Sequence, residues 1–171
     1  MSEPTPQESE PLFWAYGHAV YAAQLLEYGI RLLILVVSNE RKKEGLSQLN
    51  AELDNPKSNK TLGPLFNEAL KVEYITEPEK KIIWSAIRDR NILVHSYWDA
   101  KHTLASLTPE GREWLISDLL QRKEHCRKAD DIISSLIDQY LAKYGTSIDS
   151  ISTPVFEQWV NDVEPPDEVI H

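Results

Sequence analysis

The chain has 171 residues, 42% of them hydrophobic, and a net charge of −9, enough apolar content to bury one sizeable core and too much for a disordered chain. Its single cysteine, Cys126, excludes an internal disulfide framework and any four-cysteine metal site. Nine of the 27 acids lie in residues 1–10 and 146–171, which leaves 18 acids in residues 11–145 against all 18 Lys and Arg. The body is therefore neutral, and a polyanionic partner would need a local patch.

The opening MSEPTPQESE is acidic and proline-bearing where a secretory signal needs a basic start and an apolar run, so the expected setting is the reducing cytoplasm. A first helix is predicted over 11–40, with Leu12, Tyr16, Ala19, Ala23, Leu26, Ile30, Leu33 and Val37 on one side. Its apolar stretch contains Gln24, Glu27 and Arg31, which argues against a membrane span; Glu27 and Arg31 are spaced as a surface pair. Residues 41–60 carry Gly45 and Asn55-Pro56 and read as a loop, with a short helix expected around 46–53. Thr61-Leu62-Gly63-Pro64 opens a further short helix to about Val72.

Thr76-Glu77-Pro78-Glu79 has the spacing of a capping box with proline in the first turn, and starts a helix whose expected core stripe is Ile83, Ile87, Val94 and Tyr97. Thr108-Pro109-Glu110 starts the last long helix, with Trp114, Leu115, Leu119, Ile132, Ile133, Leu136 and Leu141 on its apolar side and a stop at Gly145. Residues 146–171 hold six acids and three prolines and are expected to be a tail. The chain is thus expected to be all-α, an up-and-down bundle of four to five helices. Its organisation is an acidic N-terminal tail (1–10), a helical domain (11–145) and an acidic C-terminal tail (146–171).

Polar groups interrupt the apolar pattern at Arg90-Asn91-Ile92-Leu93-Val94-His95-Ser96-Tyr97. Helical spacing places Trp84, Arg88, Asn91, His95 and Trp98 on one side and Ile83, Ile87, Arg90, Val94 and Tyr97 on the adjacent one. Arg90 and His95 are five apart, about 140° round a helix, so they meet only at a helix end, at a bend or across two subunits. Asn91 and His95 share a side.

An imidazole beside a guanidinium suits metal-free phosphodiester cleavage, the one moving a proton and the other holding the phosphate. Glycine-rich phosphate loops, HExxH and paired-cysteine spacings are all missing, so neither a metal nor a cofactor is expected. The structural alternative is an ion pair between Arg90 and an acid on another helix. Trp84 and Trp98 could stack bases or simply pack. His102 and His125 have no partner pattern and are expected to be exposed. The segment 122–128 is a local basic run that either lowers the Cys126 pKa or forms a solvated face.

The motif at 90–95 resembles the R-polar-xxx-H signature of the HEPN superfamily, and Ser96-Tyr97 makes it similar to the RX4HXY form of HepT-type toxins. The resemblance implies a dimeric all-α ribonuclease, independent of metal, acting on single-stranded RNA in a toxin-antitoxin or phage-defence system. It implies Arg90, His95 and Asn91 as catalytic residues and Tyr97 as the position a nucleotidyltransferase antitoxin would modify; Arg88 and Trp98, on the helical side of Asn91 and His95, are the candidate substrate contacts. A non-catalytic HEPN-like module binding nucleotide or protein is the alternative.

Overall fold

The structure is a computed structural model that describes residues 4–42, 67, 75–143 and 145. Four helices are present among the described residues and no strand: α1 (Pro6–Lys42), α2 (Glu77–His95), α3 (Ala100–Ala105) and α4 (Pro109–Ala142). The chain is all-α, as expected. The short helices expected at 46–53 and 61–72 fall outside the described residues apart from residue 67, which is helical, and so does the segment 146–171.

α1 starts at Pro6, so half of the expected acidic tail is helical. Its first turn closes locally, the Glu8 carboxylate accepting from the Thr5 backbone N–H and hydroxyl, both at 2.7 Å. α2 begins with the expected capping box: Thr76 Oγ1 accepts from Glu79 N–H at 3.5 Å and Glu79 Oε2 accepts from Thr76 N–H at 2.8 Å. Two donors that a helix start leaves orphaned are thereby satisfied. Asp99 caps α3, and Thr108 caps α4 with Pro109 in the first turn.

α1 and α4 run parallel. Glu8 lies beside Arg112, and the Cα of Gly29 faces Asp130 and Ile133, so Glu8–Arg112 and Gly29–Ile133 share one offset of 104 residues. α2 runs against both, which makes the three long helices alternate up, down, up. The core forms where Leu12, Ala19, Leu26, Ile30 and Leu33 of α1 meet Ile83, Ile87 and Leu93 of α2 and Leu115, Leu119, Ile133 and Ile137 of α4. Alanines at 15, 19, 22 and 23 keep α1 slim and allow a close approach. A methyl on Gly29 would stand 2.9 Å from Asp130 Oδ1 and 3.2 Å from Ile133 Cγ2.

Two core expectations are corrected. Val94 is 41% exposed and Leu93 fills the core in its place, because Ile83, Ala86, Arg90, Leu93 and Tyr97 form the inward row at three- and four-residue steps. Trp114 is also largely exposed, stacked on His102 with ring centroids 5.4 Å apart. By length and composition α1 passes for a membrane span over Pro6–Ser38, but half of that apolar window is buried inside the bundle.

Candidate functional site

α2 ends at His95, and the Ser96 backbone N–H closes the last turn onto the Ile92 carbonyl at 3.0 Å. Ser96 itself leaves helical geometry (φ −148, ψ 9). That end lets the i, i+5 pair converge: Arg90 Nη1 stands 3.2 Å from His95 Nε2 and 3.0 Å from Asn91 Oδ1. A guanidinium has only donors, so a hydrogen bond at this contact uses His95 Nε2 as its acceptor and requires the tautomer with the proton on Nδ1. Arg90, Asn91 and His95 thus meet within one chain. Asn91 and His95 are exposed and Arg90 is half-buried.

The acid anticipated for Arg90 is Glu27 of α1. Arg90 Nη2 donates to Glu27 Oε2, while Arg31 binds the same carboxylate through Nη2 at 2.8 Å and Nε at 3.3 Å. Burial pushes the Glu27 carboxyl up, and hydrogen bonds from Arg31 and Arg90 outweigh that and hold it below the ordinary carboxylate range. Two arginines around one carboxylate leave a local charge of about +1. The Arg90 Nε atom is buried and has no hydrogen-bond partner among the described residues. Glu27 was visible in the sequence only as the partner of Arg31, because its contact with Arg90 spans 63 residues.

Asp89, next to Arg90, points the other way. Its Oδ1 lies 2.6 Å from Arg122 Nη1 and its Oδ2 2.7 Å from His125 Nδ1, while Asp118 grips Arg122 at Nε (2.8 Å) and Nη2 (3.2 Å). His125 is therefore partnered, contrary to expectation. So is His102, whose Nδ1 lies 2.6 Å from Asp99 Oδ1 and whose ring packs 4.8 Å from that of Tyr97. The basic run 122–128 is no open patch: Arg122 is tied to Asp89 and Asp118, and Glu124 pairs with Arg127 and Lys128. Cys126 is neither solvated nor acidified. It is fully buried near the Ala86 carbonyl, and burial, then the charge of Asp89, push its thiol up to about 12.

Tyr97 is 1% exposed and donates to the Leu115 carbonyl at 3.3 Å. Burial first and Asp118 second push its phenol well above its ordinary value. The hydroxyl proposed for modification thus sits inside the fold. Trp98 is half-buried, edge-on to Tyr16 (5.3 Å) and Tyr97 (5.5 Å), with exposed Phe13 at 6.0 Å. Packing accounts for most of its surface. Arg88 is exposed on α2, one turn before Asn91. Among the described residues no group of three or more His, Cys, Asp or Glu is arranged to hold a metal.

Compared with family models, with curated proteins and with solved structures, the chain gives no match in any of the three.

Proposed function

We propose that the chain is a metal-independent endoribonuclease of the HEPN type, working at the α2 end, with single-stranded RNA as substrate. The observation that carries this reading is the 3.2 Å approach of Arg90 Nη1 to His95 Nε2 at an exposed helix end. Free of a proton at Nε2, His95 can take one from a ribose 2′-hydroxyl. The 2′ oxygen then attacks phosphorus, the bond from phosphorus to the 5′ oxygen breaks, and that oxygen receives a proton from the imidazolium or from water. The products are a 2′,3′-cyclic phosphate and a 5′-hydroxyl.

Arg90 holds the phosphate and meets the charge that grows on its oxygens; Asn91 fixes the guanidinium that His95 faces. Glu27 and Arg31 set the direction of Arg90. Arg88 is the next cation along the exposed strip of α2. A homodimer, a cytoplasmic setting and a nucleotidyltransferase partner belong to the same proposal, although joining Arg90 to His95 requires no second subunit. Purified protein should cleave single-stranded RNA in excess chelator, and His95→Ala should lower the rate by at least about 100-fold. Equal cleavage by that variant would sink the reading.

A second reading is favoured by the Arg90–Glu27 contact: a non-catalytic module in which Arg90 is a structural ion pair holding α2 to α1. It expects no cleavage by the wild type and a large loss of stability in Arg90→Ala.

A further inference from the structure

From Pro11 to Leu26 α1 contains no Asp, Glu, Lys or Arg, in a chain with 26% charged residues. One side of that stretch is core. The opposite side displays Trp14 (59% exposed), Tyr21 (59%) and Leu25 (42%), with exposed His18 among them, and Tyr28 (52%) continues the row just past Glu27. Steps of four, three, four and three residues line these five side chains into a straight seam about 21 Å long. Beyond Tyr28 the same row becomes core, since Leu32 is 4% exposed. The seam is a bounded patch.

We infer that this seam is the contact face for a second copy of the chain, packed antiparallel across a two-fold axis between His18 and Tyr21. The exposed parts of these side chains offer on the order of 500 Å² per copy, taking about 150–250 Å² for a whole aromatic side chain. Two copies then bury about 1,000 Å², the size at which association becomes specific, and the flanking Phe13 and Gln24 add to it. Trp14 meets Leu25 of the other copy, and His18 meets Tyr21. Charge selects the direction. A parallel pair would set Glu10 of both copies at the same level of the seam, like charge near like. The antiparallel pair brings Glu10 to the level of Arg31 in the other copy, twice over, on the same flank of the seam.

The inference deepens the dimeric part of the proposed function and alters its geometry. Glu27, which holds Arg90, lies about 120° round α1 from Tyr21. The two Arg90–His95 sites therefore sit on open flanks of the dimer instead of sharing one cleft. The contact itself stands on α1 alone, so inactivity of the enzyme and failure of this interface are separate outcomes.

Analytical ultracentrifugation of the full chain at micromolar concentration should give twice the monomer mass of 19.6 kDa. Tyr21→Glu and, independently, Leu25→Lys should halve that mass with the helical circular dichroism unchanged. A short bis-maleimide should cross-link His18→Cys, near the two-fold axis, and not Trp14→Cys at the seam's end, with native Cys126 silent because it is buried. A monomer at about 100 μM, a dimer untouched by both charged variants, or cross-linking of Trp14→Cys alone would overturn the proposal. So would a monomer that binds phosphatidylcholine vesicles with a blue shift of Trp14 fluorescence, since the seam would then be a lipid-facing surface.

Discussion

Asp89 and Arg90 are neighbours in sequence and are tied to different helices. Asp89 bonds Arg122 and His125 of α4, and Arg90 bonds Glu27 of α1. α2 is thereby held from both sides against rotation about its own axis, next to the end that carries His95. Asp89→Asn removes one of the two ties and leaves every Arg90 contact in place. It should cost about 1.5–3 kcal/mol of stability, the range for losing hydrogen bonds to a charged group, read from the urea midpoint. Arg90→Lys keeps the charge and loses the fork, so it should lower RNA cleavage by at least about 10-fold while costing less stability than Arg90→Ala.

The acid limb of the stability curve follows from Glu27. Its folded pKa lies below its ordinary value of 4.5, so the unfolded chain takes up the proton first as pH falls. The stabilisation is complete above the unfolded value and disappears as pH drops through the depressed folded one. Glu27→Gln should flatten the loss of stability below about pH 4.5, measured by thermal melts from pH 3 to 7.

Asp130 has the opposite sign. Burial, reinforced by Asp131, raises its folded pKa above 3.8, so ionisation at neutral pH works against the fold. The favourable difference is present at low pH and lost as pH rises through the raised folded value. Asp130→Asn should stabilise the protein at pH 7 by up to about 1 kcal/mol, with the gain shrinking towards pH 3.

The corner between α3 and α4 tolerates no side chain at Gly111. An added Cβ would fall 2.0 Å from the Ala105 carbonyl oxygen and 2.8 Å from Thr108 Oγ1, the atom that caps α4. Gly111→Ala should therefore displace backbone and cap together and cost about 3 kcal/mol or more, seen as a fall in Tm. Cys126 offers a check on the same core: its buried thiol should react with a disulfide reagent at pH 8 only as fast as the protein unfolds.

Local signals in the chain were legible where the physics is local. Thr76, Pro78 and Glu79 announced the start of α2 because a capping box is completed within four residues. The inward row of α1 was legible from its spacing. Val94 was misplaced because Leu93 and Val94 are both apolar, and only the inward row set by Ala86 and Arg90 decides between them. The six-residue α3 has too few turns to show a period. Glu27 and His125 escaped because their partners lie 63 and 36 residues away, where spacing carries no information. Arg90 and His95 could be named from the motif, but their meeting depended on the helix stopping at Ser96.

The parallel register of α1 with α4 places a demand on synthesis. With an offset of 104 residues between Gly29 and Ile133, the inward face of α1 has no α4 to pack on until nearly all of the described chain has left the ribosome. An uncharged run of 16 residues, 11–26, waits without that partner through the interval. Folding of the bundle is dominated by contacts remote in sequence and waits for residues 109–142 to be made. Chains truncated before α4 should be captured by hydrophobic-binding chaperones, and release should follow the addition of residues 109–142.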